Sequence, residues 1–166
     1  MQISKLEIKY LEQFKLDMQT AFQQSVEEEF GKTEELILPY SHIEKSLEKG
    51  EAFGAIKNGE LVGGAIVVVN KEKASLDFLY VKNGFQGQGI GKKLWNFLET
   101  YYSTVKIWET FTPYFEKRNI HFYVNCCGFK IVEFYNPLHP EPNFESEDNP
   151  GMDCLFRFEK IISNLS

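Results

Sequence analysis

Four glycines fall within the eight positions from Gly84 to Gly91, interleaved with Gln86 and Gln88 and followed at once by Lys92 and Lys93. Glycine lets a backbone take positive φ and come close to a ligand. If a helix starts where such a loop ends, unpaired N–H groups and about half a unit of positive dipole charge collect there. Phosphate binds to that arrangement. Two common phosphate loops do not fit the spacing. A dinucleotide fingerprint counted from Gly87 needs glycine at its sixth position, where Lys92 stands. A P-loop ending at Gly91-Lys92 needs glycine at Gln86 and a hydroxyl residue at Lys93. Gly31-Lys32-Thr33 fails too, because Val26 occupies the first glycine's place.

The elements that must position these groups are legible in the pattern. Ser75 to Val81 is an apolar run of strand length, rich in aromatic and branched residues. After the loop, Ile90, Leu94, Phe97, Leu98 and Tyr101 recur at steps of three and four, the spacing of a helix with one buried face. Upstream, Ile3 to Tyr10 reads as a strand, and Leu11, Phe14, Met18, Phe22, Val26 and Phe30 mark a helix stopping at Gly31. Ser41-His42-Ile43-Glu44 is a capping-box signature for a helix ending near Gly50. Asn58-Gly59 is a hairpin turn between strands Ala52–Lys57 and Glu60–Asn70. Downstream, Val105 to Thr112 is a strand, which a right-handed crossover makes parallel to the one ending at Val81. Pro113 then opens a helix to about Cys126, Gly128 stops it, and Phe129 to Tyr135 is the next strand. Asn136 to Gly151, with its prolines and acids, is a loop before a last strand from Met152 to Ile162.

Gln86-x-x-Gly89-x-Gly91, placed between strand and helix, resembles the acetyl-CoA pyrophosphate loop of the GCN5-related N-acetyltransferases, the GNAT family. A second segment, Asn119-Ile-His-Phe-Tyr-Val-Asn-Cys-Cys-Gly-Phe129, is similar to that family's later helix and turn. The resemblance implies an α/β fold of the α+β kind. Its sheet is mixed and mostly antiparallel with one splayed parallel strand pair, in the order β-α-α-β-β-β-α-β-α-β-β, within a single domain over residues 1–166. It also implies what the residues do. Main-chain groups of Leu79, Tyr80 and Val81 would pair with the pantetheine arm of acetyl-CoA, the cosubstrate. Gln86, Gly87, Gln88, Gly89, Ile90, Gly91 and Lys92 would hold the pyrophosphate, and Asn119 would contact the CoA arm. Tyr123 would protonate the departing thiolate, whose pKa is about 8.5.

The activity implied is acetyl transfer to a primary amine of a small molecule or peptide, by direct attack on the thioester. The attacking amine must be neutral, and for a lysine-like amine of pKa about 10.4 the neutral form at pH 7 costs about 4.6 kcal/mol. Family members carry a glutamate near the start of the strand before the loop; Ser75 stands closest to that position, so Asp77 and Glu109 are the candidates for the base. Cys126 and Cys127 are candidates for a ping-pong nucleophile. The alternative built on the same loop is a CoA-binding module without catalysis. Family tendency also suggests a homodimer.

Composition narrows the class further. The chain has 166 residues, 43% hydrophobic and 25% charged, as in a globular domain. Its 15% aromatic content suits a thick core or an aromatic-lined cleft. A net charge of −6 speaks against a nucleic-acid surface and is compatible with a cationic substrate, to which Glu27, Glu28, Glu29, Glu141, Glu145, Glu147 and Asp148 could contribute. The first residues hold no apolar signal core, and the apolar run Leu61–Val69 is too short to span a bilayer, so no membrane role is expected. Three cysteines make no disulfide framework, and with His121 and His139 they lack zinc-ligand spacing, so no metal is expected and the expected compartment is the cytoplasm.

Overall fold

The Asn58-Gly59 turn is the tightest local instruction in the chain, and both residues take positive φ, 52° and 78°. It folds β2 (Glu51–Lys57) back on β3 (Glu60–Asn70), and β3 pairs antiparallel with β4 (Lys73–Val81). β1 (Gln2–Lys5) adds to the outer edge of β2. On the other side lie β5 (Ile107–Pro113), β6 (Lys130–Tyr135) and β7 (Leu155–Ile161). The seven strands form one sheet in the order β1-β2-β3-β4-β5-β7-β6, all antiparallel except β4 against β5. The computed structural model describes residues 1–142 and 154–162. The expected α/β fold class and element order hold, and among these residues no helix is long and apolar enough to cross a membrane.

Helices cover both faces. α1 (Leu11–Phe30) and α2 (Tyr40–Lys49) pack Phe14, Met18 and Ile43 on Ile66 and Tyr80. α3 (Ile90–Tyr101) buries Leu94, Trp95 and Leu98 on the opposite face. Much of the aromatic content lies beneath α3: Trp95 meets the Trp108 ring edge-on at 4.9 Å and Phe129 at 5.0 Å. Tyr101, the last residue of the expected α3 stripe, is instead 44% exposed.

The main constraint on the sheet is the brevity of its parallel pair. β4 and β5 pair only from Lys73–Ile107 to Ser75–Glu109. Just beyond, the β3–β4 register shifts, with Ile66 opposite Phe78 and Val67 opposite Leu76, so Asp77 is the extra residue of a bulge. A bulge bends its strand and raises its twist. β4 therefore follows β3, while β5 stays paired with β7 through Pro113–Leu155. The two strands part, and the Thr110 hydroxyl donates to the Leu76 carbonyl at 2.9 Å where they do so.

Three local expectations need correction. The first strand ends at Lys5 rather than Tyr10: the Leu6 N–H still donates to the Ala52 carbonyl at 2.9 Å, but Ile8–Tyr10 turn as a 3₁₀ helix into α1. The Ser41 capping box is unused: α2 starts at Tyr40 after an extended Pro39, which puts Ser41 inside the first turn. Pro113 ends β5 instead of opening a helix, since it still pairs with Leu155. The following helix α4 is only Lys117–His121 and passes into a π turn at Phe122–Cys126. Met152, the expected start of the last strand, lies outside the described residues.

At Gly64 the α1 residue Phe14 packs directly on the sheet backbone. A Cβ there would lie 2.5 Å from the Phe14 ring and 2.9 Å from the Phe53 carbonyl. Gly64→Ala is expected to destabilise the fold by about 1–3 kcal/mol through overpacking, read as a lower urea midpoint at unchanged slope.

Candidate active site

Where β4 and β5 part, a cavity of about 830 Å³ opens and runs to the start of α3. Its floor is Leu79, Tyr80 and Val81, whose β5-facing backbone edge has no strand partner among the described residues. One end is the glycine loop. Gly84, Gly87 and Gly89 have φ of 93°, 79° and 77°, a region that side chains rarely occupy. Gly89 is the N-cap of α3 and brings no side-chain cap, so the first-turn N–H groups are left for a ligand. Gly91 has a different reason: its missing Cβ leaves room for the Phe122 ring, which a Cβ would meet at 3.3 Å. The glycine thus lets α3 dock on the π turn.

Ten of the residues expected to hold a cofactor line this cavity: Leu79, Tyr80, Val81, Gln86, Gly87, Gly89, Ile90, Gly91, Lys92 and Asn119. Gln88 does not, because its side chain turns outward and accepts a hydrogen bond from Lys57 Nζ at 3.1 Å. Gln86 braces the loop from within, accepting from the Gly84 N–H at 2.9 Å and donating to Asn83 at 3.2 Å. Lys92 Nζ donates to the Cys126 carbonyl, tying α3 to the π turn.

The proton-transfer candidates sit elsewhere. Asp77, thrown toward α2 by the bulge, accepts from the Ser46 and Ser75 hydroxyls, each at 2.7 Å. Glu109 lies among cations, 3.3 Å from Arg157 and 3.6 Å from Lys73. Neither lines the cavity. Tyr123 is also not on its wall but 6% exposed beneath it, with its ring against Phe122, Phe129 and Phe158 at 5.3 to 5.6 Å. Burial pushes its phenol far above the ordinary 10, opposed by a hydrogen bond with Thr110. Through Thr110 its hydroxyl connects to the point where the strands part. Cys127 is buried, which lifts its thiol to about 12, whereas Cys126 reaches the cavity with Sγ 3.8 Å from His121 Nε2.

Other walls of the cavity carry no motif. α1 contributes Phe22, Ser25, Glu28 and Glu29, and the β5–α4 turn contributes Phe115 and Glu116. Phe115 plugs against Val26 and Ile37, with the Phe30 ring edge-on at 5.0 Å. That plug holds Glu116 opposite Ser25, whose hydroxyl donates to Oε1. Burial raises the Glu116 carboxyl, the Ser25 hydrogen bond lowers it, and Glu28 raises it further. A helical stripe predicts that Phe22 and Val26 are inward; nothing in the spacing pairs Ser25 with a residue 91 positions later. Of the acids thought able to attract a cation, Glu28 and Glu29 reach the cavity, while Glu145, Glu147 and Asp148 lie outside the described residues.

The comparisons agree with the geometry. Residues 12–129 match the model of the acetyltransferase (GNAT) family. The chain is 42% identical over 163 residues to the uncharacterized protein YrkN of Bacillus subtilis (strain 168), covering 92% of this chain and 88% of the relative. Among solved structures it is similar to the ribosomal-protein-S18-alanine N-acetyltransferase of Escherichia coli, with TM-score 0.68, 18% identity, and 99% and 96% of the two chains covered. It is likewise similar to the PaiA N-acetyltransferase of Thermoplasma acidophilum in complex with coenzyme A, with TM-score 0.69, 18% identity, and 97% and 98% covered. A fold that parts its parallel strands over a glycine loop, with a family match across most of the chain, defines a class: this protein belongs to the GNAT acetyltransferase family.

The ionic network beside Glu109 yields a pH signature. The Tyr135 hydroxyl, His139 and Arg157 hold Glu133 down at about 2, from 4.5. A depressed carboxylate stabilises the fold above its unfolded pKa and loses that contribution as pH falls toward the folded value. Wild-type stability should therefore decline between about pH 4.5 and 2, and Glu133→Gln should flatten that decline in a series of acid melts.

Proposed function

We propose that the protein is an N-acetyltransferase that moves the acetyl group of acetyl-CoA to a primary amine of a small molecule or peptide. One observation carries the reading: a β4 edge with no strand partner among the described residues leads directly into a glycine loop and a helix start without a side-chain cap. In this reading the backbone of Leu79 to Val81 takes the pantetheine arm as an added strand. The N–H groups around Gly87, Gly89 and Ile90 receive the pyrophosphate, with Lys92 beside them, and Asn119 contacts the arm from the opposite wall.

The amine attacks the thioester directly. A carbon–nitrogen bond forms, the carbon–sulfur bond breaks, and the ammonium nitrogen gives up two of its three protons, one to solvent before attack and one to the thiolate. Tyr123 lies beneath the parting of the strands, its hydroxyl held by Thr110, whose own proton goes to the Leu76 carbonyl, so the phenol meets the sulfur only by giving up its bond to Thr110. A phenol lifted above 10 is a weaker acid than a thiol near 8.5. It therefore hydrogen-bonds to the leaving sulfur without ionising. A hydrogen bond to a charged group is worth about 1.5–3 kcal/mol, so Tyr123→Phe is expected to slow turnover about 10- to 100-fold with acetyl-CoA affinity unchanged, checked by single-turnover kinetics. Undiminished turnover would remove Tyr123 from the chemistry. Direct attack itself is checked at Cys126, the cysteine that reaches the cavity: Cys126→Ser should retain turnover and form no acetylated enzyme.

Binding is the first thing to measure. Acetyl-CoA at 100 times its Kd should stabilise the protein by about 2.7 kcal/mol, which for a domain of this size raises Tm by roughly 5–10 °C. Gly89→Val, which forces a branched side chain to φ of 77° at the helix start, should largely abolish the shift. No shift for the wild type with either acetyl-CoA or CoA would undo the assignment. A clear shift with no acetyl transfer to any of a broad amine panel would favour a CoA-binding module.

A further inference from the structure

We propose that Glu116 is the catalytic base of the transfer and that the acceptor is a cationic primary amine entering between α1 and the β5–α4 turn, an inference that rests on the N-acetyltransferase reading. The base must be a carboxylate that meets the substrate and is not already committed. Asp77 is occupied by two hydroxyls and faces α2. Glu109 is neutralised by Arg157 and Lys73 outside the cavity. Glu116 lines the cavity, and among the described residues only the Ser25 hydroxyl hydrogen-bonds to its carboxylate. Its position is fixed rather than adventitious, because Phe115 beside it is 7% exposed and wedged under α1.

The surroundings suit proton acceptance. Burial makes this carboxylate more basic than an ordinary glutamate. From α1, Glu28 and Glu29 reinforce the effect; from α4, Arg118 opposes it, and Lys117 also lines the cavity. The same acids give an approaching ammonium a favourable field at the mouth. In the step proposed, the ammonium passes one proton to Glu116 and the neutral nitrogen attacks the thioester carbonyl carbon. The carbon–nitrogen bond forms as the carbon–sulfur bond breaks. The second nitrogen proton neutralises the thiolate, and Glu116 releases its proton to solvent. Ammonium plus acetyl-CoA thus gives amide, free CoA and one proton.

The experiment compares wild type, Glu116→Gln and Ser25→Ala across pH 6 to 10, with 1,5-diaminopentane and a lysine-containing tripeptide as acceptors. Glutamine keeps the volume and can still accept the Ser25 hydrogen bond. For Glu116→Gln we expect kcat/KM at pH 7 to fall by about 100-fold or more, with the deficit shrinking as pH approaches the amine pKa near 10.4, while the acetyl-CoA thermal shift is retained. Ser25→Ala should move the acidic limb of the profile to higher pH, since its hydroxyl lowers the Glu116 pKa. A pH-independent deficit, no deficit, an unmoved limb, or a lost thermal shift each overturns the assignment. A wild-type thermal shift with no turnover of either amine overturns the acceptor class. Absence of the shift in the wild type brings down the acetyltransferase reading itself.

Discussion

Everything functional in this fold depends on two parallel strands that stop pairing after three residues. A sheet ordinarily satisfies each strand from both sides, and an unsatisfied backbone edge inside a protein is costly. Here β4 leaves β5 after Ser75, and the edge of Leu79 to Val81 faces a cavity instead of a neighbouring strand among the described residues. The Asp77 bulge supplies the bend, and the unbroken β5–β7 ladder prevents β5 from following. Thr110, bonded to the Leu76 carbonyl, satisfies the last group before the gap. An open edge of this kind is suited to an extended ligand with amide groups of its own.

The loop beyond β4 converts that edge into a complete binding surface. Its positive-φ glycines turn the chain, so that the first turn of α3 faces the cavity. Gly91 then allows close contact with the π turn, to which Lys92 also reaches back. That π turn is itself a departure from a regular helix, closed by the Cys127 N–H donating to the Phe122 carbonyl at 3.0 Å. Such turns recur at functional sites because they re-aim side chains. Here it puts Phe122 and Cys126 on the cavity wall and sends Tyr123 into the core.

The remaining wall is built by long-range packing. α1 runs across the opening, and Phe115 locks the β5–α4 turn beneath its end. The result is a cavity whose one end is rich in backbone donors, while α1 brings Glu28 and Glu29 to face Glu116, Lys117 and Arg118 across the other. Glu109 and Glu133, both paired with Arg157, lie outside the cavity and serve the β5–β7–β6 side of the sheet.

Local chemistry was readable because it is local. The Asn58-Gly59 hairpin, the α3 stripe, and the glycine pattern from Gly84 to Gly91 each depend on residues within one turn or one loop, so their spacing is the physics itself. From them, and from the family resemblance that the glycine pattern carries, came the sheet with its parallel pair and ten residues that line the cavity. Interactions between distant segments left no such trace. Asp77 and Glu109 were reasonable bases by proximity to the loop, yet a bulge turns one toward Ser46 and the other faces Arg157, 48 residues away. Tyr123 follows the family spacing, but a π turn decides how deep its hydroxyl lies. Glu116 belongs to no motif; only the packing of Phe115 under α1 sets it against Ser25. Backbone conformation is written in neighbouring residues, whereas the partner of a carboxylate is chosen by whichever strand or helix the fold brings beside it.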